Sequence, residues 1–364
     1  MTTRDAHLEV KGDARKIRVL VVDDSALARR AISNALARDP EIEIVGAASD
    51  PYAARDEILA REPDVITLDL EMPRMDGLTF LKILQEHHPV PVVVVSSLTT
   101  SGSAKALEAL QAGAVDVLAK PDGSGNLGQL AHQLAFHVKA AARSRRKAGR
   151  TNTDVDAAIP AAPSIRPGEF SSRRVILIGA STGGVEALRF LLPRLPSGLP
   201  PIVVVQHIPA NFSRVLANHL NDSCPFQVRE AVDGDELRTG LCLVAPGDFH
   251  LALVSVGYGY RVRVTQSPPV HHCRPSVDIL FRSAAEHAGD KAVAALLTGM
   301  GVDGARGLRL LRAAGARTLA EDEESCVVYG MPQAAIKLGA AQEVVPLARM
   351  PRAILQALAQ PCRK

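Results

Sequence analysis

Residues 175–184 read VILIGASTGG, an apolar run followed at once by a glycine-rich turn. A buried strand that ends in Gly-x-Ser-x-Gly is typical of a strand-to-helix turn that exposes a serine hydroxyl at the edge of a sheet. The glycines permit the strained backbone and bring amide N–H groups close to an incoming carbonyl. The stretch therefore predicts an α/β fold and makes Ser181 a candidate nucleophile.

The same turn has two competing interpretations. It is one substitution away from Gly-x-Gly-x-x-Gly, with Ser181 at the second glycine of a dinucleotide-binding loop, and it also suits a purely structural turn. A dinucleotide fold would place an acidic residue about 20 positions on. The next apolar run, 201–206, is followed instead by His207, which disfavours a nucleotide-dependent enzyme.

Two further strand ends supply partners for a nucleophilic serine. His207 follows the run 201–206, and Asp303 lies in TGMGVDG (298–304) after the run 292–297. If these strands are neighbours, His207 is a candidate general base and Asp303 the acid that orients it. The alternatives are an ordinary, partly buried histidine and an aspartate that caps the helix beginning near Gly304. The chain order Ser, His, Asp differs from that of the α/β-hydrolases, so a different fold is expected.

A second cluster is predicted in the N-terminal half, where polar residues follow four apolar runs. They are Asp23-Asp24 after 17–22, Asp69 after 65–68, Ser96 after 91–95 and Lys120-Pro121 after 115–119. Carboxylates this close repel one another unless a cation neutralises them, and oxygen ligands favour Mg²⁺. A hydroxyl and an ammonium group beside them suit a phosphoryl group, which makes Asp69 a candidate phosphate acceptor.

These motifs resemble two families. Residues 17 to about 140 are similar to a response-regulator receiver domain through Asp23-Asp24, DLEMPRMDG (69–77), Ser96 and Lys120-Pro121. Residues 173 to about 358 resemble the catalytic domain of the chemotaxis protein-glutamate methylesterase/glutaminase, the CheB family. The motifs are GASTGG (179–184), QHIP (206–209), RPSVDILF (274–281) and TGMGVDGA (298–305). The resemblance implies an N-terminal flavodoxin-like (βα)5 receiver and a C-terminal doubly wound, mostly parallel α/β methylesterase domain.

The resemblance also implies residue roles in the catalytic half. Ser181, His207 and Asp303 would form the triad, with the Met300 backbone amide in the oxyanion hole and Thr182 lining the site. No cofactor would be needed for the esterase reaction.

In the receiver, the implied roles surround one phosphorylated residue, Asp69. Asp24 and Asp69 would bind Mg²⁺ directly, Asp23 would bind it through water, and Glu71 would contribute its backbone carbonyl. Ser96 and Lys120 would contact the phosphoryl oxygens. Receivers often carry an aromatic switch residue three positions before the lysine. Here that residue is Val117, so we expect coupling through repacking of the surface that includes Ser96 and Lys120.

The implied function is that of a phosphorylation-activated protein-glutamate methylesterase. It would hydrolyse glutamyl methyl esters on methyl-accepting chemotaxis receptors, with glutaminase activity as well, and a chemotaxis histidine kinase would be the phosphodonor. The alternative is a phosphorylation-gated interaction module without catalytic activity.

The composition limits the classes of binding partner and the cellular compartment that we expect for this protein. A net charge of +3, aromatic residues at 3% and no tryptophan argue against a nucleic-acid-binding protein. No apolar run reaches the roughly 18 residues of a membrane span, and residues 1–16 lack the apolar core of a signal peptide, so we expect a cytoplasmic protein without membrane insertion. The five cysteines have no C-x-x-C spacing, so disulfides and structural zinc are not expected. Metal binding is not expected at His271-His272-Cys273 either.

A length of 364 residues predicts two domains. The expected division is an N-terminal extension (1–16), a receiver (17–138), a linker (139–172) and a catalytic domain (173–359). The linker contains a basic run between Arg143 and Arg150, and as a flexible coil it would span roughly 30 to 35 Å. The receiver would then be able both to cover the catalytic face and to leave it.

Alternating strands and helices predict parallel sheets covered on both faces. The expected helices are 26–37, 51–60, 78–87, 103–112 and 127–142 in the first half, and 185–192, 213–221, 276–288 and 305–314 in the second. Residues 226–265 are expected to contain an antiparallel hairpin, with turns at Asp233-Gly234 and Pro246-Gly247.

Overall fold

The computed structural model describes residues 15–96, 100–120, 127–148 and 173–362, with the backbone alone at 100–103, 127–130 and 145–148. Most of the N-terminal extension, Pro121, the linker from residue 149 on and the side chains of the basic run beyond Ser144 lie outside this description. The domain boundaries given above stay predictions.

The N-terminal unit is a five-stranded parallel sheet in the order β2-β1-β3-β4-β5. Its strands are β1 Ile17–Val22, β2 Ile42–Ala48, β3 Val65–Leu68, β4 Val92–Ser96 and β5 Asp116–Ala119. Its helices are α1 Ala26–Leu36, α2 Pro51–Arg61, α3 Gly77–His87, α4 Thr100–Gln111 and α5 Leu127–Ala148. Every residue of β3 and β4 is buried, because helices cover both faces of the sheet.

The C-terminal unit is a seven-stranded parallel sheet in the order β14-β13-β12-β6-β7-β9-β8, with a separate antiparallel hairpin β10-β11. The strands are β6 Val175–Ala180, β7 Ile202–Gln206, β8 Gln227–Glu230, β9 Leu241–Val244, β10 His250–Val256, β11 Gly259–Thr265, β12 Ala292–Leu296, β13 Arg317–Glu321 and β14 Glu343–Val345. The helices are α6 Gly184–Leu191, α7 Phe212–Ser223, α8 Val277–His287, α9 Ala305–Ala313, α10 Met331–Lys337 and α11 Met350–Ala359.

This architecture confirms the predicted fold class and the predicted hairpin. The hairpin reverses at Gly257-Tyr258, however, whereas the two turns named from sequence join β8 to β9 and β9 to β10. The structure also adds α10 and α11, which the sequence reading did not name. Helix α5 continues to Ala148, six residues past its expected end, so the predicted linker begins inside a helix.

The two units pack against each other. Helix α4 lies against α7, and one apolar core cluster continues from the first unit into the second. The side chains of Gln111 and His219 approach to 3.5 Å at this junction, and the rings of His132 and His272 lie 4.5 Å apart at a second one. The N-terminal unit is therefore docked on the C-terminal one.

Candidate active site

Three loops at the carboxyl edge of the second sheet bring together Ser181, His207 and Asp303. Ser181 follows β6, His207 follows β7 and Asp303 lies between β12 and α9, and these strands are neighbours in the order β12-β6-β7. His207 Nδ1 lies 3.1 Å from Ser181 Oγ, and its Nε2 lies 2.8 Å from Asp303 Oδ2. The predicted residues form one hydrogen-bonded chain. The two ring nitrogens of His207 exchange partners relative to the serine proteases, because here Nδ1 faces the serine, whereas in those enzymes Nε2 does.

The turn that carries Ser181 depends on glycine. Gly183 has a φ of 77°, in the left-handed region, and α6 begins at the next residue. A β-carbon at Gly183 would lie 2.5 Å from the β-carbon of Val327. Ser181 N–H donates to the Thr298 carbonyl at 3.0 Å, which ties the turn to the end of β12. The local sequence thus fixes the hydroxyl at the sheet edge.

Asp303 caps a helix, but not the one expected from sequence. The residue before α9 is Gly304, and α9 has no side-chain cap. The Asp303 carboxylate instead accepts from the N–H groups of Val277 at 2.7 Å and Asp278 at 3.1 Å, in the first turn of α8, and from the Ser276 hydroxyl at 2.8 Å. A helix N-terminus stabilises negative charge. Burial opposes ionisation, yet the hydrogen bonds from His207 and Ser276 hold the pKa of Asp303 below its usual value.

His207 is partly buried, with the polar side chains of Ser181, Asp303 and Cys273 beside its ring. Burial alone would lower its pKa, but hydrogen bonding to the Cys273 sulfur and to the Asp303 carboxylate raises the pKa well above 6.5. Cys273, which the sequence reading set aside with His271 and His272, therefore lies next to the candidate base. His271 turns toward Asp278, with 3.3 Å between Nε2 and the carboxylate. His271, Asp278 and Asp303 offer atoms within 4.8 Å of one another, but Asp303 already accepts four hydrogen bonds, so we assign no metal there.

The two residues expected beside the nucleophile occupy different surroundings. Thr182 is buried, its carbonyl accepts from the Thr298 hydroxyl at 3.0 Å, and its own hydroxyl points to the N-terminal unit. Met300 is half-buried and lines a cavity together with Phe136 and other residues of the N-terminal unit. Its backbone amide as an oxyanion donor stays a prediction.

The predicted acidic cluster is assembled at the carboxyl edge of the first sheet. Asp23, Asp24 and Asp69 offer carboxylate oxygens within 4.8 Å of one another, with Asp23 and Asp69 buried and Asp24 exposed. The Lys120 ammonium lies 3.0 Å from Asp23 Oδ2 and 2.7 Å from Asp69 Oδ2. Oxygen ligands in this number and charge suit Mg²⁺.

The remaining members of that cluster surround Asp69. Ser96 is buried and its carbonyl accepts from the Lys120 N–H at 2.7 Å. Glu71 N–H donates to Asp69 Oδ1 at 3.2 Å. Burial raises the pKa of Asp69, and Lys120 offsets only part of that rise. Burial likewise acts against the Lys120 charge, but the two carboxylates raise the pKa of Lys120 overall. The arrangement holds one ammonium between two acids.

Comparison with known proteins accounts for both halves. Residues 176–354 match the family model for CheB methylesterase, and residues 19–132 match the model for the response regulator receiver domain. A protein of Syntrophus aciditrophicus (strain SB), named protein-glutamate methylesterase/protein-glutamine glutaminase 2, is 49% identical over 332 residues, which cover 91% of this chain and 96% of that protein. The chain belongs to the CheB methylesterase family. It is a hydrolase with a receiver domain, as the sequence predicted.

A second relative agrees with this placement, and a solved structure is also similar to part of the chain. Protein-glutamate methylesterase/protein-glutamine glutaminase 4 of Anaeromyxobacter dehalogenans (strain 2CP-C) is 50% identical over 344 residues, covering 94% of this chain and 96% of its own. The crystal structure of the Thermotoga maritima CheB methylesterase catalytic domain is 40% identical, covers 50% of this chain and 97% of that one, and has a TM-score of 0.49. In the described residues, no helix is both long and apolar enough to cross a membrane.

The receiver domain covers the candidate active site. A cavity of about 380 Å³ lies between the domains, lined by Val117 and Phe136 of the receiver and by Ser181, His207 and Arg274 of the methylesterase domain, among others. Ser181 is only 2% exposed. Residues of both domains therefore enclose the space beside Ser181 in this arrangement.

One contact across the interface reaches the nucleophile turn directly. Thr182 Oγ1 donates to Asp116 Oδ2 at 2.6 Å, and His137 Nδ1 lies 2.7 Å from the same oxygen. Burial opposes the charge, but His137 and Thr182 hold the pKa of Asp116 below its usual value. Asp116 opens β5 and His137 lies on α5, so both come from the receiver. The sequence reading missed Asp116, because a polar residue at the start of a strand carries no signal of a partner in another domain.

Proposed function

We propose that the chain is a phosphorylation-activated protein-glutamate methylesterase. It hydrolyses glutamyl methyl esters on methyl-accepting chemotaxis receptors and also deamidates glutamine side chains, as the names of its relatives suggest. The observation that carries the proposal is the hydrogen-bonded chain from Ser181 through His207 to Asp303 at the sheet edge. The substrate sites are cytoplasmic receptor segments, so the enzyme works in the cytoplasm.

The chemistry follows from the positions of the three side chains. Ser181 Oγ attacks the ester carbonyl while His207 Nδ1 takes the hydroxyl proton, and Asp303 stabilises the imidazolium that forms. Met300 N–H donates to the oxyanion, with Thr182 lining the site. The imidazolium returns its proton to the leaving methoxide, which departs as methanol. Water, deprotonated by His207, then hydrolyses the acyl-enzyme to the glutamate carboxylate. On a glutamine substrate, ammonia leaves instead, and no cofactor takes part.

Regulation begins at Asp69, the carboxylate that receives a phosphoryl group from a chemotaxis histidine kinase. Asp24 and Asp69 would hold Mg²⁺ directly, Asp23 through water and Glu71 through its carbonyl, and the ion supplies charge neutralisation when bound. Ser96 and Lys120 contact the phosphoryl oxygens. The support for these roles is the cluster of acids and the ammonium described above.

The path from Asp69 to Ser181 is short. Lys120 ends the segment that begins with Asp116, so a shift of Lys120 toward a phosphoryl group displaces β5 and weakens the Asp116 bond to Thr182. Release of this contact uncovers Ser181. No aromatic rotamer is needed, in keeping with Val117 at the usual switch position.

A serine-directed fluorophosphonate probe tests the proposal against the interaction-module alternative. Wild-type protein is treated with the probe, with and without acetyl phosphate and Mg²⁺, beside Ser181→Ala. We expect labelling of Ser181 by intact-mass analysis, faster with the phosphodonor, and none in the variant. Absence of labelling in folded, phosphorylated wild type would favour the interaction module.

A further inference from the structure

Gln206, the last residue of β7, joins the loops of the nucleophile and the base. Its side-chain Nε2 donates to the Ser181 carbonyl at 2.8 Å and to the His207 carbonyl at 3.0 Å. The residue is 2% exposed, so water does not compete for these bonds. One amide group thus contacts the backbone of both reacting residues.

These bonds begin where the sheet ladder stops. The last backbone bond between the two strands is His207 N–H to the Ala180 carbonyl, at 3.0 Å. Beyond it no backbone bond between described residues joins the Ser181 turn to β7, and the Ser181 carbonyl receives the Gly184 N–H at 2.7 Å from its own loop. The Gln206 side chain extends the connection by one residue, to the position that decides where Ser181 Oγ lies relative to His207.

The oxygen of the same amide opposes folding. Gln206 Oε1 is buried and has no hydrogen-bond partner among the described residues. A buried acceptor without a partner opposes folding, since it has lost its bond to water. An apolar side chain of the same length would remove this penalty but would also remove the two hydrogen bonds of Nε2, so the two effects on stability oppose each other and stability alone does not explain a glutamine here.

A glycine makes room for this oxygen. A β-carbon on Gly184 would lie 2.1 Å from Gln206 Oε1. Gly184, the first residue of α6, therefore leaves the space that Gln206 Oε1 occupies. With the oxygen in that space, Nε2 is directed at the two carbonyls.

We infer that Gln206 is a positioning residue that fixes the distance between the serine hydroxyl and the imidazole through their backbone carbonyls. The inference rests on the proposed function, because it assigns a task within that reaction. A loss of this group should lower the rate of the chemical step and leave substrate binding unchanged. Misplacement of reacting groups by about 1 Å lowers rates on the order of 100-fold.

The test is Gln206→Met, which keeps the length and removes the donor. Steady-state hydrolysis of p-nitrophenyl acetate is measured on the full chain with acetyl phosphate and Mg²⁺. We expect kcat to fall about 10- to 100-fold with KM unchanged, the pattern of an interaction made in the transition state. The thermal midpoint should stay close to that of wild type, because the loss of two hydrogen bonds is offset by removal of the unpartnered oxygen.

Gln227→Met is the matched control. Gln227 lies on β8 of the same sheet, and its side chain accepts from Arg238, away from Ser181. We expect wild-type kcat from it.

The outcomes separate cleanly. Wild-type kcat in Gln206→Met, a rise in KM alone, or a variant that no longer folds would each overturn the inference. The proposed function fails instead if wild type does not hydrolyse the ester, or if the Ser181→Ala variant hydrolyses it at the wild-type rate.

Discussion

At the residue scale, His207 has a pKa well above 6.5 because the Cys273 thiol and Asp303 outweigh the effect of burial. Only the neutral imidazole accepts the Ser181 proton. Activity should therefore be low below this pKa and rise as the pH increases through it. This rise is the acidic limb of the pH profile, and it is measured as kcat/KM of the free enzyme against pH.

Cys273→Ala should move this limb to lower pH, because it removes one of the groups that raise the pKa of His207. Cys224→Ala is the control, since Cys224 lies at the C-terminal end of α7 and is not among the groups that raise the pKa of His207, while burial raises the pKa of its own thiol to about 11. A limb that stays in place in Cys273→Ala would contradict this account of the His207 environment.

Asp303→Asn tests the acid of the triad. The amide nitrogen cannot accept from His207 and Val277, whereas the carbonyl still accepts from Ser276 and Asp278. We expect the rate of ester hydrolysis to fall on the order of 10³- to 10⁴-fold. Thermal melts should show a modest loss of stability. A rate within a few-fold of wild type would leave Asp303 as a helix cap alone.

The sequence identified these three residues because each lies in a loop that follows an apolar strand, and such loops converge at the carboxyl edge of a parallel sheet. It could not identify Gln206 or Asp116. Their tasks depend on contacts between side chains and distant backbone or another domain, and such contacts leave no spacing in the chain.

At the element scale, β5 and α5 of the receiver carry the contact to the nucleophile turn. Asp116→Ala removes the acceptor of both Thr182 and His137. A hydrogen bond to a charged group contributes ~1.5–3 kcal/mol, so the open fraction should rise about 10- to 100-fold. We expect higher activity without phosphodonor and weaker stimulation by it.

Lys139→Ala provides the control for that prediction. Lys139 lies on the same helix, but its partners Asp39 and Glu41 belong to the receiver itself. It should leave activity without phosphodonor near the wild-type value. Equal activation by both variants would indicate general loosening of α5 and contradict a specific role for Asp116.

Element boundaries were predicted where the pattern of apolar residues was clear, as in β1, β3 and α6. Three features were not predicted, and one of them is α11. Helix α10 spans only seven residues, too few to show a helical period, and α5 continues through a basic run that has the composition of a linker.

At the scale of the whole molecule, the receiver sits over the catalytic edge of the second sheet, and Asp69 lies in the receiver. Asp69→Asn removes the proposed phosphate acceptor, and Asp69 does not line the cavity between the domains. We expect methyl esterase activity without phosphodonor to equal that of wild type, and stimulation by acetyl phosphate with Mg²⁺ to disappear. Stimulation that survives would place the acceptor elsewhere.

The motifs predicted the order of the two domains, but they did not predict how the domains dock. Packing of α4 on α7, and the cavity that encloses Ser181, depend on complementary surfaces from residues far apart in the chain. Sequence reasoning about the linker gave only the reach that such docking requires.

The most direct test of the central claim is methanol release from methylated receptor cytoplasmic fragments, for wild type and Ser181→Ala, with and without acetyl phosphate and Mg²⁺. We predict release by wild type that increases with the phosphodonor and is abolished in Ser181→Ala under both conditions. Equal release by the variant, or no release from folded, phosphorylated wild type, would contradict the assignment of Ser181 as the nucleophile of a receptor methylesterase.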